Sequence, residues 1–302
     1  MLIKAADDHS KDIVVLKALL TEPKLTRFER ERIEEELYSR QKGAWGEEDA
    51  AYFLNFNFRG SEAHLILHDL QIVLSDGRSA QIDHLLVNSF QDFYLLESKN
   101  WDRLTVEKNG SCTTGSQRTI GTESSLEQSR RHAKVLARAF EIDPELKALV
   151  PRFQIIPRVL MAPRCHLVAP HHEEWYVKAD MFYSQRAKEV ESISIVKSVL
   201  DLPRYTSRKT LIKIGEALLE LHNPKSTDWR EKFGLTPADV QEQISANRVV
   251  AAIDGLASHV PEWGENWFVL KRKPSDKENK TIRDAGYRPF KENGLWVWRL
   301  KL

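Results

Sequence analysis

The chain reads as an α/β protein, a mixed sheet flanked by helices, and three observations predict it. Between Ala44 and Ala162 the elements follow the order α-β-β-β-α-β. Hydrophobic residues make up 41% and charged residues 29% of the 302 residues, the composition of a globular protein with real cores. The length implies about two domains, and only two cysteines are present, so nothing depends on disulfide staples. The expected plan is a helical N-terminal extension over 1–42, the α/β domain over 43–222 with a helical C-terminal part, and a small α+β unit over 228–302.

Each element has its own signal. Residues 1–42 carry nine acidic and nine basic side chains, and the stretch Arg27 to Gln41 alternates sign, which suits a solvated helix. A second helix is expected from Ala44 to about Asn57. Three strand signals follow: His64 to Leu74, Gln81 to Asn88 and Asp92 to Lys99. Ser75-Asp76-Gly77-Arg78 separates the first two, and Asp-Gly is a hairpin turn signal. Residues 100–121 are rich in Gly, Ser and Thr and read as loop or short strands. Ser124-Ser125-Leu126-Glu127 has capping-box spacing and opens a helix to about Phe140. Phe153 to Met161 is a further strand, and helices fill about 180–222. After a linker at 223–228 come a helix near 236–252 and strands near 267–271 and 295–300.

Composition excludes several classes. No window approaches 18 consecutive apolar residues, and the first residues lack a signal-peptide core. With Cys112 and Cys165 alone, a reducing, cytoplasmic location is expected. No phosphate-loop motif and no nucleophile elbow occur. Cys165, His166, His171 and His172 match no common zinc spacing.

The informative stretch is Gln81-Ile82-Asp83-His84-Leu85-Leu86-Val87, a turn, and Phe93-Tyr94-Leu95-Leu96-Glu97-Ser98-Lys99. If Ser89-Phe90-Gln91 is a three-residue hairpin loop, Asn88 faces Asp92 and Asp83 falls opposite Glu97. Side chains alternate along a strand, so Lys99 joins Asp83 and Glu97 on one face, beside Leu85, Val87, Phe93 and Leu95. Two carboxylates on an apolar face repel unless paired or bridged by a cation. A hard divalent ion, Mg²⁺ or Mn²⁺, resolves both problems. The alternative is a plain ion pair of Lys99 with Asp83 or Glu97 near a sheet edge.

That hairpin resembles the signature of the PD-(D/E)XK nucleases, with Asp83 as the first acid and Glu97-Ser98-Lys99 as the E-X-K. More narrowly the chain resembles the nuclease-related domain (NERD) family. The matching pieces are Gly43-Ala44-Trp45-Gly46-Glu47, His68-Asp69-Leu70, Gln81-Ile82-Asp83-His84, Leu96-Glu97-Ser98-Lys99-Asn100, and Glu127-Gln128 with His132. The resemblance spans about 43–163 and implies a restriction-endonuclease-like αβββαβ core. It further implies that Asp83, Glu97 and the Ser98 carbonyl hold Mg²⁺ or Mn²⁺ and that Lys99 positions the attacking water. Glu47 would approach the metal as an additional acid, and Gln128 would contact the site or the nucleic acid. Ile82 stands in place of the signature proline, and Ser98 where the family more often has Thr or Val.

The net charge of +1 conceals local excess. Residues 103–140 hold seven basic and three acidic side chains, and Arg131, Lys134 and Arg138 recur at helical spacing. Such a stripe suits phosphate backbones, although an ordinary solvated helix face has the same pattern. Residues 262–302 hold ten basic and six acidic side chains, with Trp296 and Trp298 on one strand face. Rings among basic groups suit base stacking, and equally the core of a small domain. The expected function is metal-dependent hydrolysis of phosphodiester bonds in DNA, single- or double-stranded, with RNA left open. A homodimer would let two sites cut both strands. The rival readings are a nucleic-acid binder on a catalytically silent nuclease scaffold and a protein-interaction adaptor.

Overall fold

A computed structural model describes residues 1–23, 25–115, 125–192, 202–224, 226–235, 257–259, 267–270, 275–284, 287–292 and 295–300. The expected helix near 236–252 and the capping residue Ser124 lie outside the described residues. The chain divides into two compact units, Met1–Thr227 and Asp228–Leu302.

The first unit is built on a six-stranded mixed sheet. Its strands are β1 (Leu2–Lys4), β2 (His64–Val73), β3 (Ser79–Asn88), β4 (Asp92–Lys99), β7 (Gln154–Met161) and β9 (Tyr176–Lys178), in that spatial order. The pairs β2–β3 and β3–β4 are antiparallel, while β1–β2, β4–β7 and β7–β9 are parallel. A side sheet joins β5 (Arg103–Val106) to β6 (Cys112–Thr114) and β8 (His166–Val168). The helices are α1 (Ser10–Leu19), α2 (Arg27–Phe58), α3 (Ser125–Ile142), α4 (Pro144–Leu149), α5 (Phe182–Glu191) and α6 (Arg208–Glu220). Among the described residues no helix is long and apolar enough to cross a membrane.

Two cores sandwich the sheet. One face buries Leu85, Val87, Phe93 and Leu95 under Val135, Leu136, Ala139 and Phe140 of α3 and under Leu211, Ile214 and Leu218 of α6. The opposite face buries Ile66, Leu86, Tyr94 and Leu96 under Ala50, Leu54 and Phe58 of α2. The strands therefore read as nearly continuous apolar runs, as both faces are covered.

Two expectations change. The residues read as two helices are one, because α2 runs unbroken through Gly43 and Gly46. A capping box opens it: the Thr26 hydroxyl accepts from the Glu29 N–H, and the Glu29 carboxylate accepts from the Thr26 N–H. An interior glycine costs about 1 kcal/mol, which tertiary packing of the buried stripe outweighs. The N-terminal segment is also not wholly helical, since β1 adds to the sheet edge beside β2.

The second unit contains α7 (Trp229–Phe233), β10 (Ala257–His259), β11 (Trp267–Leu270), α8 (Asp276–Asp284), β12 (Tyr287–Glu292) and β13 (Leu295–Leu300). Its four strands form one sheet in the order β10-β11-β13-β12. Trp298 is buried at 6% exposure. Such burial suits the second of the two readings given for it, a ring in the core of a small domain.

Candidate active site

The β3–β4 hairpin sets the register. Asn88 Oδ1 accepts the N–H groups of Phe90 and Asp92, and its Nδ2 donates to Asp92. Gln91 takes a left-handed conformation, φ +58°, which closes a three-residue loop. Val87 then pairs with Phe93, Leu85 with Leu95 and His84 with Leu96. One step further, Asp83 meets the 97–98 end of β4, where the Ser98 N–H donates to Asp83 Oδ2 at 2.8 Å.

The carboxylates are not solvated surface groups. Asp83 is 7% and Glu97 2% exposed. Lys99 Nζ donates to Glu97 Oε1 at 2.6 Å, and His132 Nδ1 stands 3.7 Å from Glu97 Oε2. Burial, together with the charges of Glu97 and Glu47, pushes the Asp83 carboxyl well above its ordinary range. Burial pushes Glu97 the same way, but His132 and Lys99 outweigh it and hold that carboxyl low. Burial pulls the Lys99 amine down, yet the surrounding Glu97 and Asp83 carboxylates raise it overall.

An open cleft of about 690 Å³ collects these groups. Asp83, Glu97, Ser98, Lys99, Glu47 and Gln128 all line it. Glu47 comes from α2, which approaches the end of β4 closely at Gly46: a Cβ there would lie 2.8 Å from Asn100 Cβ. Asn100 fastens the approach, donating to the Lys42 carbonyl at 2.8 Å and accepting from Arg164 at 2.8 Å. Gln128 and His132 reach the cleft from α3, one turn apart. Arg131, Lys134 and Arg138 are exposed on α3, outside the cleft lining, and Arg138 pairs with Glu141 at 2.8 Å. Trp296 lies in β13 opposite Lys291.

Sequence reasoning missed two features. The first is a buried polar chain behind the site. His68 Nε2 meets Asn55 Oδ1 at 3.3 Å, His68 Nδ1 meets His84 Nδ1 at 2.8 Å, and His84 Nε2 meets Ser98 Oγ at 2.9 Å. Burial keeps both imidazoles neutral and Asn55 Oδ1 only accepts, so the hydrogens run one way and the Ser98 hydroxyl donates at the far end. Burial pushes His68 down to about 4. A hydroxyl at position 98 thus has a partner that Val would leave unmet.

The second is a group of His9, Glu47 and Asp69 that could hold a metal ion, the one such group of three among the described residues. His9 Nε2 lies 3.0 Å from Glu47 Oε2 and 3.9 Å from Asp69 Oδ2. Asp69 has φ +51°, and across it the core-facing residues of β2 change parity, from Leu65 and Leu67 to Leu70 and Ile72. Burial pushes its carboxyl up to about 6. The only sequence signal was that His68-Asp69-Leu70 and Glu47 both fell in the resemblance. Nothing marked His9. Cys165, His166, His171 and His172 form no comparable group among the described residues.

Residues 42–162 match the family model of the nuclease-related domain (NERD), which covers less than half of the chain. No curated protein and no solved structure matches the chain.

Proposed function

We propose that the Met1–Thr227 unit is a metal-dependent nuclease with a restriction-endonuclease-like core, acting on phosphodiester bonds of nucleic acid, DNA first among them. The observation that carries this is the convergence of Asp83, Glu97 and Lys99 on one cleft at the ends of β3 and β4. An ion pair alone accounts poorly for it. One amine serves two buried carboxylates there, and Glu97 Oε2 has only His132 Nδ1 at 3.7 Å, beyond hydrogen-bond length, among the described residues. An unmet buried carboxylate oxygen beside a second carboxyl fits a hard divalent ion.

Asp83, Glu97 and the Ser98 carbonyl would hold Mg²⁺ or Mn²⁺. Bound there, the ion would supply Lewis-acid stabilisation of the phosphate and lower the pKa of a bound water. The protein's own groups do the rest. Lys99, fixed by Glu97, donates to the attacking water and orients it toward phosphorus. The 3′ oxygen leaves, and the 5′ side retains the phosphate. Gln128 and His132 border the reacting phosphate from α3. Arg131, Lys134 and Arg138, on that same helix, neutralise flanking phosphates.

The test is incubation of the full chain with plasmid and with single-stranded DNA in Mg²⁺, Mn²⁺ or EDTA. Cleavage in either metal, abolished by EDTA, is expected. Salt-sensitive DNA binding without cleavage in any metal would instead support a silent scaffold, and absence of both binding and cleavage an adaptor.

A further inference from the structure

The Asp83–Glu97 cleft does not use His9 or Asp69. His9 meets Glu47 in a recess of about 160 Å³ that Gly43 and Gln81 also line, and Asp69 stands within 4.8 Å of both. Three elements meet there: the loop before α1 brings His9, α2 brings Glu47, and β2 brings Asp69.

One buried carboxylate oxygen of the group is left without a donor among the described residues. His9 Nε2 can present one hydrogen, to Glu47 at 3.0 Å or to Asp69 at 3.9 Å. Asp69 is 4% exposed, its Oδ2 accepts the Asp7 N–H at 2.7 Å, and its Oδ1 has no partner among the described residues. His9 Nε2 itself makes no hydrogen bond of good geometry. Two carboxylates and an imidazole nitrogen thus lie within 4.8 Å of one another. Ligand bonds of about 2.0–2.2 Å place neighbouring donors about 3–3.5 Å apart, the range that the 3.0 and 3.9 Å separations bracket.

We propose that His9, Glu47 and Asp69 form a second divalent-metal site, selective for a transition ion such as Zn²⁺ or Mn²⁺ over Mg²⁺. The selectivity comes from the mixed set: the imidazole suits Zn²⁺ and the two carboxylates suit Mn²⁺, whereas Mg²⁺ demands near-ideal octahedral oxygen ligands and keeps its waters. Glu47 lines both this recess and the main cleft, so the ion also fixes the carboxylate that α2 contributes there. The proposal stands on these three ligands and does not depend on nuclease activity.

The test uses the full chain, stripped of metal by EDTA and dialysed. Zn²⁺ and Mg²⁺ are added separately while the ¹⁵N-histidine signals are followed by NMR, and Mn²⁺ stoichiometry is read by EPR. Zn²⁺ at one equivalent should shift the His9 ring nitrogens, and Mg²⁺ at millimolar levels should not. His9→Ala and Asp69→Asn should each remove one Mn²⁺ equivalent, and should remove one more from the Asp83→Asn chain, in which the main-cleft ion is already lost. A His9 signal unmoved by Zn²⁺, or Mn²⁺ counts unchanged in both variants, would overturn the site. The NMR arm uses the wild-type chain, so it decides the matter even if a variant fails to fold. Metal bound at His9 without DNA cleavage would leave this site standing while the hydrolytic reading fell.

Discussion

Replacing Gly46 with alanine tests how the helix delivers Glu47 to the cleft. The added methyl would stand 2.8 Å from Asn100 Cβ, where ordinary contact begins at 3.4 Å. The two backbones must part by more than half an ångström, and Asn100 resists because it is bonded to the Lys42 carbonyl and to Arg164. Overpacking of this kind costs about 1–3 kcal/mol, and alanine in place of glycine returns up to about 1 kcal/mol in a helix. The expected net loss is about 1–2 kcal/mol, read from urea unfolding at unchanged slope. Cleavage should fall by about 10–100-fold, since a misplacement near 1 Å costs that much. Asn100→Gly removes the clashing atom, so the double variant should be more stable than the two losses added together, by about 1 kcal/mol. Losses that add to within about 0.5 kcal/mol would refute the steric argument.

Three further outcomes follow from the same geometry. Lys99→Met leaves Glu97, 2% exposed, without its 2.6 Å partner, and should cost about 2–3 kcal/mol, below the full buried-pair value because Lys99 is partly exposed; unchanged thermal stability would contradict it. His68, pushed down to about 4 by burial, is neutral in the fold while the unfolded chain protonates near 6.5. Its contribution is whole above about pH 6.5 and drains away as pH falls toward 4, so the stability gap between wild type and His68→Gln should narrow by about 2 kcal/mol from pH 7 to pH 5. A gap constant over that window would show that His68 is not held neutral. Deleting Leu86 within β3 shifts the residues before it by one place, and that slip turns Asp83 to the opposite face from Glu97; cleavage by a folded deletion variant at the wild-type rate would refute the register.

The hairpin was legible because its evidence is local. An odd loop between Asn88 and Asp92 and strict alternation together fix which side chains meet, and His84 does pair with Leu96. Gln128 and His132 entered only through the family resemblance, and both line the cleft. What escaped depends on distant partners. A three-residue strand such as Leu2–Lys4 has no periodicity, and it forms because β2, some sixty residues on, offers an edge. Gly43 and Gly46 look like breaks until the sheet that packs on α2 is in view. The His68–His84 pair and the His9–Glu47–Asp69 group follow no sequence spacing, because a strand irregularity at Asp69 and the path of the N-terminal loop create them.

The central claim is that Asp83, Glu97 and Lys99 act together on a phosphodiester. It is tested most directly by measuring plasmid cleavage rates in Mn²⁺ for wild type, Asp83→Ala and Lys99→Ala, with folding verified by circular dichroism. The account predicts cleavage by the wild-type chain and a loss of at least about 100-fold in either variant. Cleavage at the wild-type rate in both variants would contradict it.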